Sequence, residues 1–419
     1  MSGKHAVIVG AGIVGICAAH ALLDDGWRVT LLDAEGPGAG ASRGNAGWIA
    51  HMDILPLARP QTLRTLPAWL FDPVGPLTIR PSYLPRLLPW LARFLAASRP
   101  SRVARGTDAL TALNRLALPA WERRLAGLGL GDRLRRRGSL SVWRNRAGFR
   151  AATELFARQR SLGIPVEAIA APDIAALEPM LVGRIAAASF YPSGVHVADP
   201  HALTLALAAA ARQRGAALRL GSAVRVTVGE RPGVELADAT ALAADAVVLA
   251  AGAWSRPLAA GAGDAVPLDT ERGYNVTLPA GRLGLSRPVV YEDEGFVTTP
   301  LDTGDRIGGA VEFAGLAAPP SFARVDAMLA RLRRYLPDAD TRGGERWMGF
   351  RPSMPDSLPV IGPARRSPRI VHAFGHGHLG LTQAAITAEI VAALLAGRVP
   401  PVDVTPFRAA RFARGRRSI

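Results

Sequence analysis

Apolar residues first gather at Ala6-Val7-Ile8-Val9, a short β-branched run that reads as a buried strand. The cluster Gly10-Ala11-Gly12-Ile13-Val14-Gly15 follows, and Ile16, Ala19, Leu22 and Leu23 then recur at helical spacing as far as Gly26. A second apolar run, Val29-Thr30-Leu31-Leu32, closes on Asp33, so this stretch runs strand, turn, helix, strand. An alanine-rich helix is predicted from Pro200 to about Arg214, added strands from the alternation in Ala223–Val228, and a buried strand at Ala246–Leu249 that turns at Gly252. Val289–Tyr291 and Gly295–Thr299, with Glu292-Asp293-Glu294 between them, predict an antiparallel pair. Arg369–Phe374 predicts a last strand. It runs through Gly375-His376-Gly377-His378-Leu379-Gly380 into a helix from Thr382 to Leu395 that stops at Gly397.

Each glycine of the first turn has a physical task. Gly10 permits the tight turn, Gly12 lets the backbone approach a pyrophosphate, and Gly15 allows helix and strand to pack closely. The helix start at Ile13 and Val14 offers free N–H groups and a positive dipole end to phosphate. Asp33 stands where an adenosine ribose would be hydrogen-bonded. The expected fold is α/β: a Rossmann-like dinucleotide-binding domain with a second, α+β substrate domain built on an antiparallel sheet. The first domain is expected to be discontinuous, from 1–50, 191–256 and 346–400. The second takes 51–190 and 257–345, and 401–419 form a basic tail.

Composition narrows the class. Of 419 residues 49% are hydrophobic, too many for a disordered chain and enough for about two or three lobes. Lys4 is the sole lysine, so the formal charge of +16 rests on arginine. Beside 44 glycines and 33 prolines, that skew reads as coding bias more than as a nucleic-acid surface. The densest clusters, Arg133–Arg137 and Arg408–Arg417, are not interleaved with stacking aromatics, and no specific nucleic-acid partner is expected. A single cysteine, Cys17, excludes a disulfide framework and fits a reducing compartment. The first residues lack a secretory pattern, and no uninterrupted apolar stretch reaches the roughly 20 residues of a membrane span. A cytoplasmic location is expected. The eight histidines show no HExxH-like spacing, so no metal is expected.

The glycine turn alone does not separate FAD from a nicotinamide dinucleotide. The small-residue loop Gly38–Trp48 suits close passage of a long extended ligand, and Gly375–Gly380 feeds a second helix start suited to an electron-rich group. Three blocks together resemble the D-amino-acid oxidase/dehydrogenase superfamily of FAD enzymes: Val7–Gly15 with Ser42–Gly47, Ala246–Trp254, and Gly349–Gly362 with Gly375–Gly380. Within it the bacterial D-amino-acid dehydrogenases are most similar, through Gly44-Asn45-Ala46-Gly47, the Arg351–Gly362 block and the Gly375–Gly380 loop. These blocks cover both ends and the middle of the chain, whereas 52–190 matches only loosely.

The resemblance implies non-covalent FAD, since the only cysteine lies in the first helix. Its contacts would come from Gly10, Gly12, Ile13, Val14, Gly15 and Asp33. They continue in Ser42, Asn45, Ala46 and Gly47, then Val224 and Gly252, then Gly377, His378, Leu379 and Gly380. It further implies hydride transfer from the Cα of a D-amino acid to flavin N5, giving an imino acid that hydrolyses to a keto acid and ammonia. Electrons would pass to a quinone or the respiratory chain, and D-proline or its hydroxylated form is among the expected substrates. Such chemistry needs no protein acid–base pair when the amine arrives neutral. Arg351 resembles the arginine that grips the substrate carboxylate, a task suited to a planar guanidinium. Tyr274, in a similar Gly-Tyr turn, is the second catalytic candidate, and Trp48, His51, His376 and His378 are candidates to face the flavin. For the last two, backbone N–H contact is expected. A glycine or sarcosine oxidase using oxygen shares these features, and a nucleic-acid-associated flavoprotein is a remote alternative.

Residues 54–104 place prolines among Leu, Trp, Phe and Arg, with no acid between Asp72 and Asp108. Aromatics beside arginines on amphipathic helices suit an anionic bilayer surface, which would make the protein peripheral on the inner membrane face. A helical cap on the substrate lobe is the competing reading.

Overall fold

A computed structural model describes residues 3–63, 75 and 77–413. His5–Val9 lies inside a six-stranded sheet ordered Ala217–Leu220, Arg28–Asp33, His5–Val9, Ala246–Leu249, Ser367–Phe374, Val360–Ala364. Every pairing is parallel except the last. Parallel strands are covered on both faces, which explains their unbroken apolar runs. Ala6, Ile8, Ala246 and Val248 pack against the helices Ile13–Asp24 and Gly380–Leu395. Their neighbours Val7, Val9, Val247 and Leu249 face a second layer made of the helix Ser255–Gly261 and a small three-stranded sheet, Ala223–Thr227, Gly233–Leu236 and Ala241–Ala243. The alternation at Ala223–Val228 therefore belongs to a separate sheet, and Ala217–Leu220 supplies the edge strand instead.

The second lobe is a nine-stranded sheet. It runs Glu345–Ser353, Asp269–Leu278, Gly304–Phe313, Phe296–Leu301, Val289–Tyr291, Ser139–Trp143, Ala187–Tyr191, Glu167–Ile169, with Leu77–Ile79 added along Gly304–Phe313. Pairing is antiparallel except for two parallel contacts, Val289–Tyr291 with Ser139–Trp143 and Leu77–Ile79 with Gly304–Phe313. One face buries Tyr274, Val276 and Ile307 against Val325, Met328 and Leu332 of the helix Ala323–Leu332. The other face looks toward the first lobe.

Three expected boundaries move. Glu345–Ser353 hydrogen-bonds along Asp269–Leu278, so the third piece of the dinucleotide lobe begins after it, not at 346. The helices Pro100–Arg115 and Ala117–Ala126 join the dinucleotide lobe, because Leu110, Leu113, Trp121 and Leu125 form an apolar stripe on the core beneath the last helix. The expected basic tail packs as far as it is described: Val404, Phe407 and Ala409 are buried, and Arg411 Nε meets Asp356 Oδ2 at 2.8 Å. Residues 414–419 lie outside the described part. The stretch Gly377–Leu395 is long and apolar enough to cross a membrane by length and composition, yet 72% of its apolar window is buried in the fold. It is the central core helix of the first lobe.

Candidate FAD and substrate site

The first turn is built by backbone contacts. Gly10 has φ +107°, and a Cβ there would stand 2.3 Å from the Ala250 carbonyl oxygen. A Cβ on Gly15 would stand 1.9 Å from the Gly10 carbonyl oxygen, so the helix lies directly on the turn. The helix from Ile13 has no side-chain cap among its own first residues, but Ser42 Oγ accepts from Ile13 N at 3.0 Å. The other early N–H groups are left to a ligand. Asp33 Oδ2 accepts from Ala11 N at 2.7 Å, and Oδ1 accepts from Glu35 N and Gly36 N at 3.0 and 2.9 Å. Its carboxylate thus braces the turn as well as facing the ligand space.

A cavity of about 810 Å³ runs from this turn to the second sheet, within the size range of ligand sites. Gly10, Gly12, Ile13, Val14, Asp33, Ser42, Asn45, Ala46, Gly252, Gly377, His378 and Gly380 all line it. Four expected contacts do not. Gly15 is consumed by helix–strand packing, and Leu379 is 4% exposed in the core. Gly47, at φ +78°, donates its N–H to Asn45 Oδ1 at 2.8 Å and shapes the loop from behind. Val224 is 52% exposed, and the cavity is lined by Gly221, Ser222 and Ala223 just before it, where an irregularity in the pairing turns the strand.

Trp48 lines the cavity, and its indole Nε1 is buried with no partner among the described residues, a donor awaiting an acceptor. His51 does not line it; its ring is engaged by the Ile49 carbonyl and Ser193 Oγ, both at 3.2 Å. His376 does, but its Nε2 meets Thr387 Oγ1 at 3.1 Å and burial pushes its pKa down to about 3. The ring is neutral and committed to the last helix. His378 Nε2 lies 3.7 Å from Asp53 Oδ2, both half-exposed. An extended dinucleotide fits this set: a glycine turn at one helix start, a bracing acid, an orphaned indole donor and a second helix start at Gly380.

Arg351 stands where the cavity meets the second sheet. Its guanidinium lies flat over Gly273 of the neighbouring strand, close enough that a Cβ there would fall 2.6 Å from Cζ. Among the described residues it has no hydrogen-bond or ion-pair partner. Burial lowers its pKa, and Glu271 opposes that shift. Trp347 repeats the arrangement: a Cβ on Gly349 would fall 1.9 Å from its ring, and one on Gly44 2.0 Å from it. Two glycines on adjacent strands thus allow an arginine and a tryptophan to lie along the sheet. Gly273→Ala is expected to push the guanidinium aside and cost about 100-fold in kcat/KM, with FAD retained. Steady-state kinetics beside the flavin content of the purified variant check this.

Tyr274 is corrected. Successive strand residues face opposite ways, so Glu271, Gly273 and Asn275 line the cavity while Tyr274 points into the core with no exposure. Its hydroxyl donates to Glu312 Oε2 at 2.6 Å and accepts from Ser321 N at 3.0 Å; burial and Glu312 raise its pKa. Glu312 also receives Arg80 Nε at 2.7 Å. The residues that join the lobes were missed. Arg306 Nη1 donates to the Asn45 carbonyl at 2.6 Å and Asn275 Nδ2 to that of Gly44 at 2.8 Å, so the second sheet holds the cofactor loop.

Turn, cavity and isolated guanidinium are features that a dinucleotide-dependent oxidoreductase would need. Residues 5–394 match the DAO family of FAD dependent oxidoreductases, and the chain belongs to that family. It is 38% identical to a D-amino-acid oxidase of Bradyrhizobium diazoefficiens, over 98% of this chain and 99% of that one. It is 33% identical to D-amino acid dehydrogenase 2 of Ralstonia nicotianae, over 96% and 99%. The fold is similar to that of glycine oxidase from Geobacillus kaustophilus, with a TM-score of 0.74 at 22% identity over 98% of this chain and all of that one. The protein is an FAD-dependent enzyme of amino-acid oxidation.

Proposed function

We propose that the protein oxidises D-amino acids at Cα and passes the electrons to an acceptor other than oxygen. The observation that carries this reading is the guanidinium of Arg351, facing the cavity with no anion in bonding distance among the described residues. Bound FAD supplies a two-electron acceptor for the Cα hydride. Arg351 takes the substrate carboxylate in a forked pair and fixes Cα. The N–H group at Val14 and the positive end of its helix would hold the pyrophosphate, Ile13 N being taken by Ser42 Oγ, and the N–H groups at Gly380 and Leu381 would present a second positive dipole end to the ring system. Trp90, Leu91 and Phe94, from the helix Leu84–Ala97, wall the cavity with apolar surface that excludes water. The product leaves as an imino acid, which water converts to keto acid and ammonia.

Anaerobic addition of D- and L-amino acids, D-proline and D-hydroxyproline included, to the yellow holoenzyme tests the reading. Bleaching by D-amino acids alone is expected, and bleaching by the L-series alone, or by none, would defeat it. The acceptor is separated by dye reduction against oxygen uptake. The name of the Bradyrhizobium relative favours the second reading, an oxidase, and rapid oxygen consumption would establish it.

The helix Leu84–Ala97 supports both readings of the 54–104 segment, of which 64–74 and 76 lie outside the described residues. Trp90 and Phe94 are buried over the cavity with Leu87 packed in the same cluster, whereas Leu84, Leu88 and Leu95 are exposed beside Arg86 and Arg93. We infer a reversible contact with anionic lipid through that outer face. The holoenzyme is expected to sediment with anionic liposomes at low salt and a Leu88→Glu/Leu95→Glu variant to stay in solution. A wild-type protein that stays in solution ends the idea.

A further inference from the structure

One carboxylate in the cavity has no task in the reading above. Glu271 stands directly opposite Arg351 on adjacent antiparallel strands, on the face that lines the cavity, and is 7% exposed. Cross-strand partners hold their Cβ atoms about 5 Å apart. The two charged ends diverge. The guanidinium extends over Gly273, while Ser353 Oγ donates to Glu271 Oε1 at 2.5 Å and draws the carboxylate toward the other end of the strands. Anion and cation therefore border one space without closing an ion pair, and among the described residues Glu271 Oε2 has no hydrogen-bond partner. The carboxylate thus lines the cavity with one oxygen fixed by Ser353 and the other free of protein hydrogen bonds among the described residues.

We propose that Glu271 accepts the proton of the substrate's α-ammonium group, a role that rests on the D-amino-acid reading. A free amino acid is mostly zwitterionic at neutral pH, and its nitrogen lone pair must be released before a hydride can leave Cα. A zwitterion whose carboxylate pairs with Arg351 carries its ammonium only one carbon away, and Glu271 is the carboxylate on the adjoining strand position. The N–H bond breaks, its proton forms an O–H bond on Glu271 Oε2, and the nitrogen keeps the electron pair. The Cα–H electron pair then leaves as hydride to FAD, and the nitrogen lone pair forms the C=N bond. The substrate is oxidised by two electrons, FAD is reduced by two, and Glu271 returns its proton to water once the imino acid departs.

The neighbouring acids are engaged elsewhere: Asp53, which also lines the cavity, faces His378 Nε2 at 3.7 Å and lies near Arg59. Asp269, two residues along the same strand, already accepts from Tyr83 Oη at 3.0 Å and from Thr270 N at 2.7 Å, with Arg256 nearby. His376 is tied to Thr387, and His378 faces Asp53. Ser353 fixes the Glu271 carboxylate without taking its second oxygen, so Ser353 is a positioning residue.

The test compares Glu271→Gln and Glu271→Asp with the wild-type holoenzyme on D-alanine across pH. Glu271→Gln is expected to lose about 100-fold in kcat/KM near neutral pH. The deficit should shrink as pH rises toward the pKa of the substrate amine, and Glu271→Asp should restore much of the neutral-pH rate. Benzoate, a carboxylate without an amine, should perturb the flavin spectrum of all three with affinities within about twofold. Loss of benzoate binding, or a deficit equal at every pH, would overturn the proposal, because Glu271 would then only support Arg351. Unchanged kcat/KM in Glu271→Gln would overturn it too. A wild-type enzyme bleached by no D-amino acid defeats the underlying reading instead, and the proposal falls with it.

Discussion

Arg351→Ala is expected to purify yellow and to turn over D-amino acids about 10² to 10⁴ times less efficiently. The guanidinium lies along the sheet over Gly273, with no anion in bonding distance among the described residues, and burial depresses its pKa. A protein keeps such a cation only where something else completes its hydrogen bonds. A substrate carboxylate does so with two parallel charge-assisted bonds, each worth about 1.5–3 kcal/mol. Their loss is about 3–6 kcal/mol in transition-state stabilisation, and each 1.36 kcal/mol is a factor of ten. Arg351→Lys restores the charge but not the fork and should recover only part of the deficit. A second measurement separates this role from a structural one. Arg351 makes no hydrogen bond or ion pair among the described residues, so the thermal midpoint of Arg351→Ala should stay close to that of the wild type. Near-normal kcat/KM in a folded, yellow Arg351→Ala protein would take Arg351 out of the site.

How far the site could be read from residues alone follows from the range of the forces involved. The first turn was legible because its constraints are local: Gly10, Gly12 and Gly15 answer to backbone atoms within one βαβ unit, and the parallel core announces itself as unbroken apolar runs. The Gly375–Gly380 loop was legible for the same reason. The place of Arg351 on the cavity wall, though not its role, was readable only through its surrounding block, since an arginine in so arginine-rich a chain carries no signal of its own. Tyr274 shows the limit. Whether a strand residue faces cavity or core is set by register, and a shift of one position reverses it. Here Asp269 pairs with Ser353 and Glu271 with Arg351, which places Glu271, Gly273 and Asn275 on the ligand side and Tyr274 on the other. Glu271 and Asn275 were invisible for that reason: their partners lie on strands distant in sequence. The helices Pro100–Arg115 and Ala117–Ala126 went to the wrong lobe because an amphipathic stripe states that a helix packs, not against what.

Gly12→Ala and Gly15→Ala should separate ligand binding from folding. Gly12 has φ −73° and ψ 176°, a conformation open to any residue, and the nearest atom to an added Cβ is Ser42 Oγ at 3.3 Å, a side chain that can rotate. Nothing in the polypeptide demands glycine there. The demand comes from what passes the helix start, a pyrophosphate that needs the space of the missing methyl group. The apoprotein of Gly12→Ala should therefore match the wild-type apoprotein in circular dichroism and thermal midpoint. Its FAD affinity should fall about 100-fold, as expected if the displaced phosphate loses roughly 3 kcal/mol of charge-assisted contacts. Gly15 is the opposite case: the added carbon would meet the Gly10 carbonyl at 1.9 Å, and that carbonyl is fixed by a turn whose own glycine sits at φ +107°. Neither partner can rotate away, so helix and strand must part, at a cost of about 1–3 kcal/mol or more. Gly15→Ala should be colourless and unstable even without ligand. Equal flavin content in Gly12→Ala and the wild type would mean that no phosphate passes this turn, and the path assigned to the cofactor would be wrong from its first contact.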